Sequence, residues 1–133
     1  TFKIGHAPKG ISNVEFRNAD ITKIEIPPAD CILLIHVLHH LDSYDQQKPL
    51  IEACLAKIKS GGKLIIAEID RRPWWKFMLT WLADHLLYPG DKIYYRFPES
   101  MKELLGQLPV TVEEEVMHQG TPFSHISYIC TKD

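Results

Sequence analysis

Two short apolar runs, CILLIHVL at residues 31–38 and KLIIAEI at 63–69, constrain this chain more than any other feature, through what separates them. A continuous apolar run of strand length fits a strand covered on both faces, the situation of a parallel sheet. Between the runs, Leu50, Ile51, Cys54, Leu55 and Ile58 recur at helical spacing. Asp45 can cap that helix, with Pro49 as its fourth residue, among the N–H groups that lack intrahelical acceptors. Lys57 and Lys59 suit the last turn, and Gly61-Gly62 stop it. The order strand, helix, strand, with the helix as crossover, predicts a parallel pair and an α/β fold.

The flanking segments extend that reading. SNVEFRN at 12–18 alternates, with Val14 and Phe16 on one side and Glu15 and Arg17 on the other, as in a short strand with one solvated face. Asp20 follows, and IEIPPAD then breaks regular structure with two prolines. Residues 73–88, from Pro73 to the PG at 89–90, predict a helix signalled at both ends. PVTVEEEVMH and PFSHISYICTK, separated by QGT, predict an antiparallel hairpin. At 133 residues one domain is expected, spanning 1–133.

Charge narrows the partners. The formal net charge is -2, with acids and bases interleaved and no basic stripe, so a nucleic-acid partner is not expected. No apolar stretch is long enough to span a bilayer, and the start has no signal-peptide layout. Cys31, Cys54 and Cys130 are odd in number and far apart, which predicts core thiols in a reducing, cytoplasmic setting. The chain begins at Thr1 without an initiator Met, which suggests a fragment or a trimmed polypeptide.

Four words of sequence, in order, resemble a known family. NVEFRNAD looks like the third strand and terminal aspartate of class I S-adenosylmethionine-dependent methyltransferases, and DCILLIHVLHHLD like the fourth strand and its turn. LIEACLAKIKSGGKLIIAEID looks like the following helix, the LKPGG loop (with Ser60 where proline is usual) and the fifth strand. The C-terminal hairpin takes the place of the reversed last strand. The "type 11" small-molecule group is the nearest in pattern. The resemblance implies a Rossmann-like sheet of parallel strands with an antiparallel C-terminal hairpin. The family's glycine-rich cofactor loop and the ribose-binding acid have no counterpart, so the N-terminal βαβ part is missing. Residues 1–12 resemble the tail of the helix before the third strand.

What the resemblance implies for function is methyl transfer from S-adenosylmethionine to a small, apolar or aromatic acceptor. The alternative is a truncated, non-enzymatic remnant that acts as an oligomer or binding module. Asp20 matches the aspartate that accepts a hydrogen bond from the adenine amino group, with the Ile21 N–H facing the ring; the same residue could simply cap a turn. Ile35 and His36 match positions bordering the cofactor's reactive end. His36 is the candidate catalytic base, because its ordinary pKa is near neutrality; a strand-end histidine bonded to a carbonyl is the plainer role. His36, His39 and His40 form H-x-x-H-H, a spacing that could gather metal ligands on one side, although no metal is expected.

Residues 73–97 are the expected substrate lid, since Trp74, Trp75, Phe77, Met78, Trp81, Leu82 and Leu86 leave little polar surface on that helix. Trp74, Tyr95 and Arg96 are the candidate acceptor contacts. With the first two strands absent, the 30–38 strand has one unpaired edge. Either NVEFR slides in beside it or two chains pair, and a homodimer, or a larger chain whose missing part fills the gap, is the expected outcome.

Overall fold

The computed structural model describes residues 13–133. The reading of residues 1–12 as a helix tail lies outside them. A four-stranded sheet is built from β1 (Ala29–Ile35), β2 (Ile58–Ile69), β3 (Val110–Val116) and β4 (His125–Lys132), in the order β1-β2-β4-β3. β1 and β2 run parallel, with Ile35 opposite Ala67; β4 is antiparallel to both β2 and β3. Helix α1 (Gln47–Lys57) is the crossover, as the apolar spacing predicts, and α2 (Trp74–Leu87) and α3 (Pro98–Leu105) precede the hairpin.

One face of this sheet holds the core. Leu34, Leu64, Ile66, Tyr128 and Cys130 pack there against Ile51, Cys54 and Leu55 of α1 and Met101, Leu104 and Leu105 of α3. The Lys132 ammonium ties β4 to the end of α1, donating to the Leu55 and Ile58 carbonyls at 2.8 and 2.7 Å. The other face is open at β1, where Leu33 is 56% and Ile35 55% exposed. The expectation of a strand covered on both faces is thereby corrected. The apolar run marks a strand made to be covered twice, and the described residues supply one layer of helices.

Three further expectations change. Residues 14–18 form no strand, and Val14 and Phe16 are exposed. Arg17 bonds Glu15 at 2.7 Å instead of lying across a ladder, and β1 keeps an unpaired outer edge among the described residues. Asp45 lies in a turn at Tyr44–Gln46 and does not cap α1, whose third residue is Pro49. α1 ends at Lys57, before the glycine pair, and Ile58 already turns extended. Ala29 pairs with Ile58 and Cys31 with Lys63, so residues 59–62 oppose Asp30 alone. That bulge requires Gly62: a Cβ there would meet the Asp30 carbonyl oxygen at 2.7 Å. Lys59 consequently pairs with Asp30 and not with the helix end.

α2 and the hairpin match their expected ranges closely. α3 was not anticipated, although Pro98 at its first turn and the acidic Glu99 are start signals.

Candidate functional site

The carboxyl end of β1 is where the chain departs from regular structure. His36 takes a left-handed backbone, φ 53°, and donates its N–H to the Ala67 carbonyl at 2.9 Å, one step beyond the last paired residue. Such a conformation in a residue other than glycine costs about 1–3 kcal/mol and persists where the surroundings enforce it. Here the enforcing contacts are visible. In the Leu38–His40 turn, the Leu38 N–H donates to Glu68 Oε1 at 2.9 Å, and His39 Nδ1 lies 2.5 Å from Glu68 Oε2. Both His39 and Glu68 are buried. Gln47 donates to the Leu38 carbonyl at 3.1 Å and the Tyr94 carbonyl at 3.0 Å, and the Tyr94 N–H returns to the His39 carbonyl at 2.8 Å.

This frame gathers four imidazoles. The His36 ring lies 4.6 Å from that of His125 and 5.9 Å from that of His39, and His39 lies 4.2 Å from His40. Burial holds His36, His40 and His125 below their ordinary pKa of 6.5. Tyr95 stacks on His39 at 5.5 Å and donates its hydroxyl to Asp84 of α2 at 2.6 Å. Burial first, and the Asp84 carboxylate second, push the Tyr95 phenol upward.

Two cavities meet at this cluster. The larger, about 730 Å³, brings together Asp20, Ile21, Ile35 and His36, the four residues proposed from the sequence to hold the cofactor. The smaller, about 320 Å³, lies between the histidines and α2, with Thr80, Asp84 and Leu87 on its far wall. Ile35, His36 and His40 border both. A hollow of about 620 Å³ beside α1 touches none of the histidines.

The three candidate acceptor contacts are not brought together. Trp74 is 74% exposed at the start of α2 and borders neither cavity. Arg96 turns toward α1 and α3: its Nε donates to Gln47 at 2.7 Å, its Nη1 to Ser100 at 2.8 Å, and it stacks over Tyr44. Tyr95 reaches the smaller cavity only through His39 and Asp84. The residues that sequence reasoning missed are Glu68, Asp84 and His125. Glu68 had a signal, as the one charged residue between Leu64 and Ile69. Ligand atoms of His36, His39 and Glu68 lie within 4.8 Å of one another, as do those of His39, His40 and Asp84, so His39 belongs to both groups and His36 and His40 to one each.

In the described residues no helix is long and apolar enough to cross a membrane. Asp20 caps its own turn, accepting from the Thr22 N–H at 3.0 Å and the Thr22 hydroxyl at 2.7 Å, with the Lys23 ammonium 3.0 Å from its other oxygen. These bonds hold its carboxyl at about 2. The Ile21 N–H has no acceptor among the described residues.

Several solved structures share this architecture. They include human N-acetylserotonin methyltransferase in complex with SAM (22% identity, TM-score 0.65, covering 89% of this chain and 33% of that one). An O-methyltransferase family 2 protein from Planctomyces limnophilus, in complex with apigenin, matches at 20% identity and TM-score 0.67, covering 86% and 34%. The S-adenosylmethionine-dependent methyltransferase SibL, in its apo form, matches at 19% identity and TM-score 0.67, covering 87% and 35%. At these identities the likeness establishes the α/β fold, and the chain spans about a third of the length of each of the three. No curated protein sequence matches the chain. The profile of the O-methyltransferase domain matches residues 4–72, and it replaces the type 11 group expected from the sequence pattern. That match covers the crossover, the histidine turn and Glu68, and with it the chain belongs to the O-methyltransferase domain family.

Proposed function

We propose that this chain forms the adenine edge and the acceptor cavity of an S-adenosylmethionine-dependent O-methyltransferase acting on a small apolar or aromatic acceptor. The observation that carries the reading is the junction of the two cavities at Ile35, His36 and His40. In an open α/β sheet, ligands bind outside the carboxyl ends of the strands, and this junction lies there.

The residues present fit part of the cofactor. Ile21 offers a backbone donor with no acceptor among the described residues, and Asp20 an ionised acceptor beside it, the pair an adenine edge requires. Ile35 and His36 border the opposite wall of the same cavity. Among the described residues no glycine-rich turn completes it, so binding by this chain alone is expected to be weak. Bound S-adenosylmethionine supplies a methyl group already activated by its sulfonium charge.

What remains for the protein is to orient the acceptor and remove its proton. His36 was the candidate base from the sequence, and it borders both cavities. The geometry favours His39 for that role, because Glu68 holds its Nδ1 and so sets the ring's orientation and tautomer. His36 then lines the passage between the cavities. Residues 73–97 act as the lid, through Thr80, Asp84 and Leu87 of α2. Three unpaired thiols support a cytoplasmic location, and the open edge of β1 supports a homodimer.

The test is amide chemical-shift mapping with S-adenosylhomocysteine, which reads even millimolar affinity (about -4 kcal/mol). Shifts are expected at Ile21, Ile35 and His36, and Asp20→Ala should diminish them. The absence of shifts at these residues under a large excess of ligand would overturn the reading.

A further inference from the structure

The smaller cavity has an unusual charge inventory for its size. Among the described residues no lysine or arginine borders it, and its one carboxylate is Asp84. The nearby cations are engaged elsewhere. Lys76 donates to the His118 and Thr121 carbonyls at 2.5 and 2.7 Å. Arg72 reaches Asp70, and Arg96 faces Gln47 and Ser100. Asp84 takes the Tyr95 hydroxyl on Oδ2 at 2.6 Å. Its charge acts on three of the four flanking imidazoles, His36, His40 and His125, partly offsetting the burial that lowers their pKa, and Glu68 acts on His36 and His40 in the same sense.

Among the described residues the Asp84 carboxylate is the one fixed charge on this lining, and it disfavours an entering carboxylate or phosphate. The cavity suits a cation on an aromatic or apolar frame. Phe123 supplies ring surface and Leu87 apolar wall in the same cavity as the carboxylate. We infer that the molecule entering this cavity carries a basic amine, held as its cation by Asp84. Calling that molecule the methyl acceptor rests on the function proposed above; the amine preference does not.

Three probes that share a phenol ring separate the charge states: tyramine, 4-ethylphenol and 3-(4-hydroxyphenyl)propionate. Binding is read near neutral pH from the imidazole Cε1–H resonances of His36 and His125. Tyramine should bind about tenfold more tightly than 4-ethylphenol, and the propionate should not bind. Asp84→Asn retains an oxygen to accept the Tyr95 hydroxyl. It should erase the gap between tyramine and 4-ethylphenol. Propionate binding as well as tyramine, no binding by any probe, or an unaltered gap in Asp84→Asn would each overturn the inference. S-adenosylhomocysteine mapped on the same sample reports the other reading separately. Its failure beside an intact, Asp84-dependent amine preference would remove the transferase and leave the amine site.

Discussion

Replacing Glu68 should cost this chain more stability than any surface substitution, and the structure gives the size. The Glu68 carboxylate is 3% exposed and serves two groups at once, the Leu38 N–H at 2.9 Å and His39 Nδ1 at 2.5 Å. Leu38 is 0% and His39 2% exposed, so water cannot replace the lost acceptor without opening the turn. Leaving a buried donor unsatisfied costs about 1–3 kcal/mol for each group. Glu68→Ala strands two, so a loss of about 3–5 kcal/mol is expected. With a urea slope of about 2 kcal/mol per molar, the unfolding midpoint should fall by about 1.5–2.5 M. Glu68→Gln keeps an oxygen for Leu38 and should lose about half as much. The decisive measurement is the double-mutant cycle with His39→Ala. Both groups belong to one bond, so the losses should fall short of additive by about 1 kcal/mol or more. Additive losses, or a Glu68→Ala midpoint within about 0.5 M of the parent, would refute the claim that this pair holds the turn.

His36, His40 and His125 are held below 6.5, so below that pH the unfolded chain takes up protons that the folded chain refuses. The urea midpoint should therefore be level above 6.5 and fall as the pH drops toward about 5.5. His125→Asn should flatten that fall, and a level profile in the parent would contradict the assignment. Tyr128 is fully buried with no partner for its hydroxyl among the described residues, so Tyr128→Phe should be neutral or stabilising by up to about 1 kcal/mol in thermal unfolding; a clear loss would reveal a partner for the hydroxyl. The edge of β1, unpaired among the described residues, should draw two chains together, so light scattering after size exclusion should give twice the 15.3 kDa chain mass; a monomer at every concentration would count against it.

The parts of the fold legible in the sequence are those where local pattern and final environment agree. The spacing Leu50, Ile51, Cys54, Leu55 faces the core as read, and the alternation at 125–132 buries Ile126, Tyr128 and Cys130 against α3. Misreadings arose where an element depends on a neighbour. Val14 and Phe16 alternate as in a strand, yet a strand needs a ladder, and no described strand pairs with them. Gly61-Gly62 carries a helix-stop signal, but Ile58 is drawn into the ladder opposite Ala29 before the signal is reached. The glycines serve the bulge instead.

The site divides along the same line. Asp20, Ile21, Ile35 and His36 were readable because each stands at or just beyond a strand end, and strand ends on one side of a parallel sheet converge without further information. His125 and Asp84 come from the hairpin and α2, and nothing local in SHI or ADH says which imidazole or helix will face them. Glu68 is the instructive intermediate. A parallel register that sets Ile35 opposite Ala67 puts residue 68 beside the first turn after β1. An acid in a buried strand must find a donor, and the donors within reach there are the Leu38 N–H and the His39 ring. The apolar runs alone align to within a residue or two. A buried acid has few places to go, so KLIIAEI and HVLHHL together limit the register more tightly than either run does by itself. The polar exception in each strand, and not its apolar bulk, tells how the two strands meet.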